Sequence, residues 1–141
     1  MDILFLCKSN VFRSQMAEGF FNCYSKKHKA YSAALVSPQD KMHRLIVNAM
    51  KEEAIDISNN KSKMVSNEML IAADIIIFMS KDLQEHLNYI REDSKSDAKI
   101  MVWDIPDIHA KETDDHLYPD FIKARDIIKK KVLELISKTE K

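Results

Sequence analysis

Ile3-Leu4-Phe5-Leu6 runs straight into Cys7-Lys8-Ser9-Asn10-Val11-Phe12-Arg13-Ser14, and this stretch decides the fold. The four apolar residues have the length and composition of a buried strand. The polar Lys8-Ser9-Asn10 ends the run. From near Ser14, the residues Met16, Ala17, Phe20, Phe21 and Tyr24 recur at helical spacing. The order is strand, loop, helix, with the loop at the carboxyl end of the strand.

Outward from this unit the alternation continues. Residues 31–36 read as a second strand, and Pro38 precedes an amphipathic helix marked by Met42, Leu45, Ile46, Ala49 and Met50. Residues 55–60 read as a turn, and 67–73 as a short helix leading into 74–79. Ile75-Ile76-Ile77-Phe78 is continuously apolar, as a strand covered on both faces requires. A helix over 81–89, a fourth strand over 99–103, an acidic loop over 104–115 and a long closing helix from Phe121 to Ile136 complete the pattern. The expected fold is α/β: a single domain over 1–141, a four-stranded parallel sheet with helices on both faces, and a phosphate-binding loop after the first strand. Ligands of such sheets bind outside the carboxyl ends of the strands. Both the Cys7 loop and the acidic loop belong there.

Composition narrows the function classes. Lys plus Arg and Asp plus Glu both total 22, so the formal net charge is zero and no global basic field attracts nucleic acid. Anion recognition has to be local. No stretch approaches the roughly 20 apolar residues that span a bilayer. Two cysteines, Cys7 and Cys23, make no disulfide framework, so a reduced cytoplasmic protein is expected. The histidines show no metal-ligand spacing, and neither a metal nor a cofactor is expected.

The loop is a Cys-x5-Arg-Ser pattern between a strand and a helix. Backbone N–H groups of such a loop, with the helix N-terminus, cradle an oxyanion. The planar fork of Arg13 matches two oxygens of a phosphate. The same surroundings favour thiolate over thiol at Cys7, and Ser14 is placed to donate a hydrogen bond to it. Cys7 is therefore the candidate nucleophile and Arg13 the anion clamp. Lys8, Ser9, Asn10, Val11, Phe12 and Ser14 complete the expected substrate-binding loop.

Residues Cys7 to Gly19, CKSNVFRSQMAEG, resemble the active-site loop and first helix of the low-molecular-weight protein tyrosine phosphatases and of their relatives, the thioredoxin-coupled arsenate reductases. The resemblance extends through Tyr31-Ser32-Ala33-Ala34, Ile55-Asp56-Ile57-Ser58, Lys61-Ser62-Lys63, Ala73-Asp74-Ile75-Ile76-Ile77-Phe78-Met79 and Trp103-Asp104-Ile105-Pro106-Asp107. It implies a phosphatase that hydrolyses phosphotyrosine or a small phosphomonoester through a phosphocysteine. Asn10, Ser14 and Ser32 would brace the loop, and an aspartate would act as general acid. Aligned from Trp103 that acid is Asp107, with Asp104 the alternative. His109 and Tyr118 are candidates for the mouth of the pocket.

This chain departs from the family pattern in several places. Ser9 stands where the family usually has glycine, and Phe12 where it often has a second cysteine. No cysteine occurs over 79–87, where the arsenate reductases carry further redox cysteines, so an intramolecular disulfide relay is excluded. An arsenate reductase using Cys7 and an external thiol remains the alternative, and a non-catalytic oxyanion or phosphoprotein binder is a third. The expected partners are phosphate, arsenate or a phosphorylated substrate, with an external thiol reductant in the second case.

Overall fold

A computed structural model describes residues 1–39 and 41–140. Four strands, β1 (Asp2–Cys7), β2 (Lys29–Ala34), β3 (Ile75–Phe78) and β4 (Lys99–Val102), form one sheet in the order β2-β1-β3-β4. All the pairings are parallel: Phe5 lies opposite Ser32 on one side and Ile77 on the other, and Phe78 opposite Val102. The helices are α1 (Arg13–Tyr24), α2 (Arg44–Lys51), α3 (Asn67–Ala72) and α4 (Tyr118–Thr139). The strand order reverses between β1 and β3, which places a ligand crevice at the carboxyl end of β1.

Alternation along the strands splits the core in two. Ile3, Phe5, Ile75 and Ile77 point to one face and pack with Phe20 and Phe21 of α1, Ala49 and Met50 of α2 and Ile128 and Val132 of α4. Leu4, Leu6, Ile76 and Phe78 point to the other, against Leu70 of α3 and the anchors Leu83 and Ile90. All four residues of β3 are buried, as the continuous apolar run requires.

Two elements differ from their sequence patterns. The second strand lies two residues earlier, from Lys29 to Ala34. Leu35 and Val36 leave the sheet because their N–H groups serve the loop after β1: Leu35 donates to the Cys7 carbonyl at 2.9 Å, and Val36 and Ser37 to that of Lys8 at 3.2 and 3.1 Å. The helix expected over 81–89 is a 3₁₀ helix, Lys81–His86, followed by a single π-turn, Tyr89–Asp93. A serine competes for the backbone carbonyls at the π-turn. Ser94 Oγ takes the Ile90 carbonyl at 2.6 Å, while the Ser94 N–H reaches back five residues to Tyr89.

Candidate active site

The Cys7 loop is folded by one residue in the left-handed region. Asn10 has φ 56°, a conformation that asparagine adopts more readily than most side chains. Its side chain is fully buried and all of its polar capacity is used. The Lys63 backbone N–H donates to Oδ1 at 3.1 Å, which fixes the amide orientation. Nδ2 then donates to Ser14 Oγ at 2.8 Å and to Ser32 Oγ at 3.0 Å. Because Ser14 Oγ accepts from Asn10, its own proton is free to point at Cys7 Sγ, 2.8 Å away. The Asn10 N–H also donates to Sγ, at 3.2 Å. Both donors are placed for a sulfur that acts as acceptor.

Helix α1 starts at this loop without a side-chain cap and with no acid in its first turn. Its leading N–H groups are therefore available to an anion. Arg13, 4% exposed, is pinned by Nη1 donating to the Ile105 carbonyl at 2.9 Å. Its Nη2 lies 3.5 Å from Asp107 Oδ2. The Asp107 side chain is one-third exposed at 33%, and its Oδ1 accepts the Ile108 N–H at 2.9 Å. Asp104 points elsewhere and pairs with Lys81 at 3.5 Å on the exterior. Loop and acid segment share a cleft of about 580 Å³, lined by residues 7–13 and 107–112 together with Met42, His43, Ile46 and Phe121.

The expected residues thus meet in one place, with these exceptions. Asp104 is outside the cleft. Tyr118 is also absent from the mouth: its hydroxyl bonds to Glu52, and burial together with that carboxylate pushes the phenol up to about 12. His109 does line the cleft. Ser9 is not among the positive-φ residues, so this position makes no demand for glycine. Its carbonyl accepts Ser62 Oγ at 2.7 Å and the Gln39 N–H at 3.3 Å. Phe12 packs edge-on against Phe121, with ring centroids 5.1 Å apart. Cys23 is exposed on α1, and both cysteines are free. No group of three His, Cys, Asp or Glu among the described residues is disposed to hold a metal. No helix among them is long and apolar enough to cross a membrane.

A second bracing layer escaped sequence reasoning. Buried Gln15 donates to the Asn10 carbonyl at 3.2 Å and to the Lys61 carbonyl at 3.3 Å, and accepts from Asn60 Nδ2 at 3.1 Å. The only signal for it was the 61–63 segment, whose role depends on contacts about fifty residues away in sequence. Glu18, on the same helix, carries no signal in the local sequence either. Burial raises its carboxyl above the ordinary value, although Lys63, Ser32 and Lys29 pull it back. A folded-state pKa above the unfolded 4.5 favours the fold at low pH, and that contribution is lost as pH rises through the folded value. Glu18→Gln is therefore expected to raise the unfolding temperature at pH 7, with the gain shrinking as pH falls toward 4.5. Thermal unfolding of both proteins across that range checks it, and a gain that is constant with pH would contradict it.

Residues 2–141 match the family described as "Low molecular weight phosphotyrosine protein phosphatase". Arsenate reductase 1 of Staphylococcus epidermidis is 41% identical over 81 residues, which is 57% of this chain and 60% of that relative. Arsenate reductase 1 of Staphylococcus haemolyticus is 30% identical over 137 residues, 94% of this chain and 92% of that relative. The solved low molecular weight protein tyrosine phosphatase from T. tengcongensis superposes with a TM-score of 0.83 at 27% identity, covering 98% of this chain and 99% of that one. A parallel sheet in the order β2-β1-β3-β4, a Cys-x5-Arg-Ser loop at its switch point and a match along nearly the whole length together place this chain in the low molecular weight phosphotyrosine protein phosphatase family.

Proposed function

We propose that the protein is a cysteine-dependent phosphatase that hydrolyses phosphotyrosine or a small phosphomonoester through a phosphocysteine. The observation that carries this is the placement of Cys7 Sγ under two hydrogen-bond donors, in the same cleft as Arg13 and Asp107. Cys7 Sγ attacks phosphorus, and the ester oxygen departs with a proton from Asp107. Arg13 and the loop N–H groups hold the equatorial oxygens as charge builds on them. Water, deprotonated by Asp107, then releases phosphate and restores the thiolate. Lys8, Ser9, Val11 and Phe12 contribute the loop backbone around the phosphate, while Asn10, Ser14 and Ser32 hold its shape. A thiolate nucleophile suits a reducing compartment, so a cytoplasmic location fits this chemistry.

Arsenate reduction is the second reading, favoured by the relatives named arsenate reductase. Arsenate has the shape and charge of phosphate. Cys7 would displace water from arsenic to form a sulfur–arsenic(V) adduct. An external thiolate would then attack Cys7 sulfur, forming a mixed disulfide as the sulfur–arsenic pair of electrons leaves with arsenite. An external thiol is invoked because the other cysteine, Cys23, is not among the residues lining the cleft.

Rapid quenching of an aryl phosphate reaction at mildly acid pH, followed by mass spectrometry of the Cys7 peptide, separates the two. One phosphoryl group on Cys7 is the expected result. Absence of both turnover and the adduct in folded protein, with arsenite released when arsenate and a small thiol are supplied, would transfer the assignment to reduction.

A further inference from the structure

We infer that the cleft selects phosphate esters carrying a second anionic group, bound by Lys41 and Lys111 at its rim; this selectivity rests on the phosphatase assignment above. The chain as a whole has no net charge, so a local excess of cations is informative. The charged residues lining the cleft are Lys8, Arg13, Lys41 and Lys111 against Asp107 and Glu112. Both carboxylates are met by arginines. Asp107 lies 3.5 Å from Arg13, and Glu112 3.8 Å from Arg44, which is outside the lining. Among the described residues of the lining this leaves Lys8, Lys41 and Lys111. Lys111 forms no ion pair among the described residues. Lys8 is partly offset by Asp82, whose carboxyl is held below its ordinary range by the Ser80 hydroxyl first, with Arg13 and Lys8 adding to it.

Lys41 and Lys111 belong to one built wall. His43 Nδ1 accepts the Leu45 N–H at 3.1 Å, capping α2, and its Nε2 lies 2.8 Å from the Lys111 carbonyl. That bridge holds the segment before α2 against the loop that bears Asp107. The ring also stacks on Phe121 at 6.0 Å. Arg13 and the α1 N-terminus hold the phosphate of the ester, whereas Lys41 and Lys111 are exposed residues of the cleft lining. The neighbouring wall positions are Ile108 and exposed His109, and Phe12, Met42, Ile46 and Phe121 also line the cleft. At this rim Lys41 and Lys111 add discrimination by charge to that apolar lining.

The same second charge is supplied by acidic residues beside a phosphotyrosine or by a second phosphate on a small molecule. The Cys7→Ser protein, which retains the cleft, is titrated with two matched pairs. One pair is a phosphotyrosine peptide with glutamates beside the phosphoresidue and its glutamine counterpart. The other is a bisphosphate and the monophosphate of the same skeleton. At low salt the doubly anionic member of at least one pair is expected to bind roughly five- to tenfold more tightly, as two exposed ion pairs allow. The preference should collapse toward unity at high salt and in a Lys41→Ser/Lys111→Ser background. The pair that shows it identifies the source. Equal binding within both pairs overturns the proposal, and a preference that survives loss of the two lysines overturns their assignment. Aryl phosphate turnover by wild type is scored separately: its absence, with charge preference intact, would reject the phosphatase reading while leaving the selectivity standing.

Discussion

Cys7→Ser is expected to abolish aryl phosphate turnover, lowering kcat/KM by about 10⁴ or more, as removal of a nucleophile does elsewhere. A serine hydroxyl at this position has no base to activate it. Ser14 directs its proton toward residue 7 and the Asn10 N–H is a donor, so neither neighbour takes the hydroxyl proton, and Asp107 serves as the proton donor in this step. The fold should be unaffected. Oxygen replaces sulfur in a buried position and accepts from the same two donors, so neither donor is left unsatisfied. Inorganic phosphate should still bind, because Arg13 and the loop N–H groups are untouched. Steady-state kinetics, a thermal melt and phosphate binding on the same preparation check all three expectations. Turnover within tenfold of wild type would show that sulfur is not the nucleophile.

Asp107→Asn should lower kcat by about 10²–10⁴ on phenyl phosphate, whose leaving oxygen needs a proton. The loss should be much smaller on 4-nitrophenyl phosphate, whose leaving group is stable as an anion. Removing the carboxylate 3.5 Å from Arg13 also frees that guanidinium for substrate, so KM is expected to fall together with kcat. Asp104→Asn is the matched control. Asp104 is exposed, paired with Lys81 and outside the cleft, so its loss should change turnover little. A large effect at Asp104 with none at Asp107 would reverse the assignment. Equal losses on both substrates at Asp107 would point to a positioning role for this carboxylate rather than proton donation.

The strand-loop-helix unit was legible because hydrophobic period and length are local properties. Ile3 to Leu6, the helical spacing after Ser14 and the unbroken run at Ile75 to Phe78 each specify their own burial. The same locality explains the two misread elements. Leu35 and Val36 are as apolar as a strand, but their N–H groups are claimed by the Cys7 and Lys8 carbonyls. Residues 81–89 have helical spacing, but Lys81–His86 tighten into a 3₁₀ helix and a π-turn follows at Tyr89–Asp93, where Ser94 Oγ donates to the Ile90 carbonyl.

Local sequence was enough for the parallel α/β class, for Cys7 and Arg13 in one loop, and for the short choice between Asp104 and Asp107. Long-range packing selects which aspartate enters the cleft and turns Tyr118 away to Glu52. It also brings Gln15, Asn60, Ser62 and Lys63 into a second brace around Asn10. Each of these depends on which side chains meet after residues tens of positions apart have been brought together by burial of the two sheet faces. Local sequence records a residue's capacity to donate, accept or carry charge, while packing at long range selects the partner.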